Sequence, residues 1–122
     1  MAERSEANAV LRVFDSVAHR WALTDVEQIA LLGLQTLTDL AELRKMDADL
    51  PVEVVERVAI LVDIFTAINT LLPVPARADA WMRANNRDAA FGGNSALAVM
   101  TRDGLEASRI VRAYLQAQVA GN

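Results

Sequence analysis

Residues 52–72 read VEVVERVAILVDIFTAINTLL. Val54, Val58, Leu61, Phe65, Ile68 and Leu72 recur at spacings of 4, 3, 4, 3 and 4, and Ile60, Ile64, Ala67 and Leu71 form a second stripe at 4, 3 and 4. Both spacings are those of an α-helix. A helix apolar on two sides is either central in its own domain or paired with another chain. At ~1.5 Å per residue it spans roughly 30 Å, the width of a small domain. Pro73 and Pro75 end it. Ahead of it, Asp47-Ala48-Asp49 interrupts the pattern, Asp49 is an N-cap candidate, and Pro51 falls in the first turn.

Upstream, Val10, Phe14, Val17 and Trp21 mark an amphipathic helix over about 5–20. Thr24 and Glu27 have the spacing of a capping box opening a short helix, which Gly33 ends. A third helix runs from about Thr36 to Lys45, with Leu37, Leu40 and Leu43 as its buried side. Downstream of the prolines, short helices are expected over 76–84 and 95–101, the second with Asn94 as its cap. A loop with an Asn pair and a Gly pair joins them. After an Asp103-Gly104 turn, a last helix covers 105–119, with Ala107, Ile110, Val111, Tyr114 and Gln118 along one stripe. No strand pattern of convincing length is present. The expected fold is all-α: a helix-turn-helix-like half over 1–74 containing the long helix, and a compact helical half over 75–122.

The whole chain has 122 residues, with 12 Lys+Arg, 16 Asp+Glu, one His and no Cys. Scarce Gly and Pro and abundant Ala suit a helical protein. The absence of Cys excludes disulfides, thiolate zinc sites and a cysteine nucleophile, and a single His excludes a multi-histidine metal site. No Gly-rich phosphate loop or nucleophile elbow occurs. No cofactor, metal or catalytic role is therefore expected. The start of the chain lacks an apolar signal region, and no run approaches the ~18–20 residues of a membrane span, so a cytoplasmic protein is expected. The N-terminal half is acidic, while residues 75–122 hold six arginines against four acids. Bulk charge does not drive such a chain onto nucleic acid.

Two constellations invite a function. The helix, Gly turn and helix between Asp25 and Lys45 fit a DNA-binding helix-turn-helix, with Thr36, Thr38, Arg44 and Lys45 as the polar contacts. Asp39 and Glu42 interrupt that set, and the alternative is an ordinary packed helical pair. In Trp81–Gly93, an aromatic sits on a loop rich in residues that permit unusual backbone, flanked by Asn85-Asn86 and Gly92-Gly93. Phe91 there is either a core plug or an interface anchor. Arg109 and Arg112 lie three apart on the last helix, on a solvated face or a partner-contact face. His19 reads as a lone surface histidine.

The series Trp81-Met82-Arg83-Ala84-Asn85-Asn86, Phe91-Gly92-Gly93-Asn94-Ser95-Ala96-Leu97, Gly104 and Val111-Arg112-Ala113-Tyr114-Leu115 resembles the toxin-binding domain of Xre/MbcA/ParS-type antitoxins. Residues 21–34 and 54–58, with the long helix, are similar to the Xre-like half of the same proteins. The chain departs from the family pattern where Asn85 and Ser95-Ala96 replace prolines. The resemblance implies a type II antitoxin, itself without catalytic activity, that binds a RES-domain toxin and obstructs its NAD+-consuming site. It also implies a homodimer able to bind operator DNA. Trp81, Asn86, Phe91, Gly92, Gly93 and Leu97 would shape the toxin-binding surface. Arg109, Arg112, Tyr114 and Leu115 would lie on the helix approaching the toxin's cleft.

Overall fold

A computed structural model describes residues 2–46 and 49–121, with side chains from residue 9 onward. Asp47 and Ala48, expected to break the helical pattern, lie outside the described residues. Among the described residues the fold is all-α, with seven helices: α1 (Ala2–Arg20), α2 (Asp25–Leu32), α3 (Leu37–Arg44), α4 (Val52–Leu71), α5 (Pro75–Trp81), α6 (Ala96–Asp103) and α7 (Leu105–Gly121).

The long helix α4 is the spine. Val54, Val58, Leu61 and Ile68 of its first stripe and Ile60, Ile64 and Ala67 of its second are all buried. α1 packs on α4 with Leu11, Phe14 and Val17 buried, Trp21 just past its end meets Phe65 of α4, and α7 packs on α4 with Ala107, Val111 and Leu115 buried. Both apolar sides of α4 are thus covered within one chain. α7 runs parallel to α4, because Arg109 pairs with Glu56 and Arg112 with Asp63 further along both helices. Residues 1–74 and 75–122 contribute to one continuous core rather than to two.

Local chemistry sets the boundaries. α1 ends in a Schellman arrangement in which the Leu23 N–H donates to Ala18 O and the Ala22 N–H to His19 O. Ala22 takes the left-handed conformation there, with φ 54°. Thr24 and Glu27 form the expected capping box of α2. Gly33 closes α2 in the left-handed region at φ 73°, and Leu34 N–H reaches Ile29 O. The guanidinium of Arg57 lies over Gly33, so that a Cβ there would stand 2.6 Å from it. Pro51 occupies the N-cap of α4 with no side-chain cap, so Asp49 does not serve as one. Ser95, not Asn94, caps α6: its hydroxyl accepts from Ala98 N–H, while the Asn94 amide donates to Phe91 O.

Three residues assigned to apolar faces depart from them. Leu37 is 58% exposed at the first position of α3, and Ile110 is 48% exposed on the outer face of α7. Gln118, on the same expected stripe, is also exposed. Leu40 and Leu43, and Ala107 and Val111, suffice to anchor their helices. No helix among the described residues is long and apolar enough to cross a membrane.

Candidate functional site

The C-terminal segment builds its site around a loop. Asn86 N–H donates to Asn94 O, and Gly93 N–H donates to Asn86 O, at 3.1 and 2.8 Å, so residues 86–94 form a closed loop with adjacent ends. The Asn86 side chain accepts from Asp88 N–H at 2.9 Å, turning the chain inward. Gly92 and Gly93 hold φ of 57° and 89°, conformations that L side chains rarely adopt. The loop drives Phe91 into the protein, where it is 2% exposed.

Phe91 is the centre of an aromatic chain. Its ring meets Trp81 at 5.7 Å and Tyr114 at 5.0 Å, each at 86° in the edge-to-face geometry that aligns ring quadrupoles favourably. Trp81 closes α5, Phe91 sits on the loop, and Tyr114 is on α7. The Tyr114 hydroxyl donates to the Asp88 carboxylate, which holds the phenolic proton and raises the pKa of Tyr114 above its ordinary value. Beside this chain lies an open groove of about 260 Å³, lined by Ile68, Leu71 and Leu72 of α4 and its end, Trp81, and Tyr114, Leu115 and Gln118 of α7.

Not every expected contact residue reaches this surface. Trp81 and Tyr114 are half-buried and line the groove; Asn86, Gly92 and Gly93 shape the loop behind it. Phe91 and Leu97 are buried and support the face from inside, so they offer a partner no direct contact. Leu115 is also buried and shows only at the groove floor. Arg109 and Arg112 turn to the other flank of α7, where they pair with Glu56 and Asp63 of α4. They stitch the parallel helices together and do not meet the aromatic groove.

On the α2–α3 pair, the Thr36 hydroxyl accepts from Asp39 N–H, and Asp39 Oδ2 accepts from Thr36 N–H, a second capping box. Asp39 is therefore a helix-start residue. Arg44 grips Asp15 of α1 through both terminal nitrogens at 3.0 and 2.8 Å, and also reaches Gln28. All four expected DNA contacts are exposed, but Thr36 is engaged as the cap of α3 and Arg44 in its pair with Asp15.

Two further arginines join the N-terminal helices to the candidate site. Arg83, two residues after Trp81, donates to Trp21 O at 3.1 and 2.9 Å, to Ala22 O at 2.9 Å and to both Glu27 carboxylate oxygens at 2.9 and 2.8 Å. It supplies donors to the carbonyl end of α1 and binds the capping residue of α2. The Arg83 hydrogen bonds hold the Glu27 carboxyl below the ordinary glutamate range, and Glu27 in turn raises Arg83. Arg20 pairs with Asp79 of α5 at 2.8 Å, donates to Asn69 and lies 4.8 Å over the Phe65 ring. Neither role is signalled by spacing, since the partners are 49 to 62 residues apart in sequence. His19 is exposed near the end of α1. Among the described residues no group of three or more His, Cys, Asp or Glu side chains gathers to hold a metal ion.

No family model matches the chain. Over 113 residues, 93% of this chain and 86% of the relative, it is 35% identical to "Uncharacterized protein y4oB" of Sinorhizobium fredii (strain NBRC 101917 / NGR234). The chain belongs to the same family as that protein. A span of that length takes in the α2–α3 pair, the spine and the aromatic loop together, so the likeness extends over the whole helical unit rather than one motif.

Proposed function

We propose that this chain is a type II antitoxin of the Xre/MbcA/ParS kind, which docks its groove face onto a RES-domain toxin and bars NAD+ from the toxin's cleft by occupying its mouth. The carrying observation is the convergence of Trp81, Phe91 and Tyr114. These aromatics come from three separate parts of the segments that resemble the antitoxins, and they meet in one edge-to-face chain beside an open groove with an aliphatic floor. Half-exposed Trp and Tyr on a supported apolar floor are the residue types that anchor protein interfaces. On this reading the chain works by steric exclusion and performs no chemistry, and it acts in the cytoplasm, where NAD+ is drawn on.

Co-expression with a RES-domain toxin tests it. The expected result is a complex that co-purifies and cellular NAD+ that stays at its uninduced level. Falling NAD+ with no recoverable complex would overturn the reading.

Operator binding by a homodimer is a second reading, favoured by the four-residue turn between two eight-residue helices, with Gly33 in the left-handed region. Two α3 helices would lie about 34 Å apart, one turn of DNA. A gel shift on the upstream DNA, weakened steeply by salt, is the expected result; no shift at low salt would remove this reading and leave toxin docking.

A further inference from the structure

We infer that α4 is the seam of a twofold-symmetric dimer, in which a second copy of this chain lies antiparallel across its third face. The inference depends on neither toxin docking nor operator binding, although the operator reading needs a dimer of some kind. α1 and α7 cover two sides of α4, and Val52, Val55, Ala59, Val62 and Thr66 run along the side they leave open. Their spacings of 3, 4, 3 and 4 are those of a helix that pairs with another helix. Val52 is 72% exposed and Val55 38%, Ala59 and Thr66 are exposed, and Val62 is half-buried. The charged residues of α4, Glu53, Glu56, Arg57 and Asp63, all fall off this line. A helix face that meets only water over about four turns ordinarily carries charge.

Shape identifies the occupant. Val52, Ala59 and Thr66 are spaced by one heptad each and fall in one row, with Ala59 midway. At the Val52 end an aliphatic side chain stands out from the surface. At the Thr66 end lies a cleft of about 240 Å³, lined by Asp63, Thr66, Ala67 and Thr70 of α4 and by Gln116 and Val119 of α7. Knob and cleft are each about 10 Å from Ala59 along the helix. A twofold axis at Ala59 therefore sets each Val52 at the other copy's cleft, the self-complementary geometry of an isologous interface. A foreign helix could fill the cleft but would need a pocket of its own for Val52; a second copy brings both. Alanine at the crossing lets the two backbones come close. Beside the row, Glu56 pairs with Arg109 and Asp63 with Arg112, one rung on either side of Ala59. The twofold exchanges the two rungs, so the edges of the copies meet with no surplus of either charge.

Sedimentation velocity on the full chain alone, without toxin or DNA and from micromolar to millimolar concentration, is expected to show a monomer–dimer equilibrium. Val52→Asp and Ala59→Arg, both at exposed positions, are each expected to weaken association by at least about tenfold with the helical circular dichroism unchanged. Val26→Asp, on α2 and 75% exposed in the wild type, is expected to leave it as it was. The chain has no Cys, so introduced cysteines report the orientation. Under mild oxidation Ala59→Cys is expected to link to itself. Val52→Cys is expected to link to Thr66→Cys but not to itself, because the two copies of residue 52 lie about 20 Å apart, beyond the ~7 Å between Cα atoms that a disulfide spans. A monomer at every concentration, a dimer indifferent to Val52→Asp and Ala59→Arg, or Val52→Cys linking to itself as readily as to Thr66→Cys would overturn the inference. A dimer that survives both substitutions removes α4 as the seam and leaves the operator reading with a dimer formed elsewhere. A dimer that responds as expected, with no gel shift on DNA, keeps the seam and removes operator binding.

Discussion

Arg83→Ala is expected to destabilise the protein more than any other change at an exposed side chain. Arg83 is 43% exposed, yet it serves three acceptors: Trp21 O, Ala22 O and the Glu27 carboxylate. Trp21 itself is buried, so its carbonyl gains little from water when the guanidinium leaves. At about 1 kcal/mol for each acceptor, reduced for the solvent-screened Glu27 pair, the loss comes to about 2 kcal/mol. For a chain of this length that is a fall in melting temperature of roughly 6–10 °C. Arg83→Lys keeps the charge but not the planar fork and is expected to lose about half as much. A double-mutant cycle with Glu27→Gln, which preserves an acceptor for the Thr24 cap, is expected to give a coupling of about 0.5–1 kcal/mol. The pH dependence has a definite sign. Because Arg83 lowers the folded-state pKa of Glu27, the stabilisation is fully present above the ordinary glutamate pKa and is lost as pH falls through the depressed value. The difference between wild type and Arg83→Ala should therefore narrow on acidification. Thermal and urea melts at neutral and acidic pH provide the measurement. A loss under about 0.5 kcal/mol, or a difference that widens in acid, would refute the assignment of Arg83 as the link between the α1–α2 corner and the site.

Phe91→Ala removes the centre of the aromatic chain and is expected to cost about 3–5 kcal/mol in urea unfolding, with a changed near-ultraviolet signal from Trp81. Ser95→Ala is expected to cost about 1 kcal/mol through the lost cap of α6, and Asn94→Ala distinctly less, as read by paired thermal melts. Ala22→Gly is expected to raise stability by about 0.5–1 kcal/mol, since only φ 54° strains that position, and Ala22→Val to lower it.

The spine was the most legible part of the sequence because its period holds over twenty residues, and a sustained period leaves one way to bury both stripes. The Thr24–Glu27 cap and the Gly33 stop were equally readable, since each is a local rule about four or five consecutive residues. Asp39 carries a second local signal beside its charge: its spacing from Thr36 makes it half of a capping box. Leu37 and Ile110 show the limit of stripes: two or three buried residues anchor a short helix, and a further apolar side chain is free to face solvent. Arg44, Arg109 and Arg112 found partners 29, 53 and 49 residues away, and no spacing rule reports pairings made by tertiary packing. For the site, Trp81 and Tyr114 were identifiable by type, but Ile68, Leu71, Leu72 and Asp88 enter it only because α7 returns beside α4.

That return has a consequence for how the chain is made. Two helices lying side by side in the same direction cannot be joined by a tight hairpin, and here α5, the aromatic loop and α6 form the crossover. During synthesis α4 leaves the ribosome well ahead of α7, so the flank containing Ala67 and Ile68 stays uncovered until the final helix arrives. Early nascent chains carry an open, sticky side that local helix formation cannot close. A ribosome stalled before residue 105 would hold out an adhesive, chaperone-seeking intermediate, and the late appearance of α7 would be the step that makes the newborn protein inert.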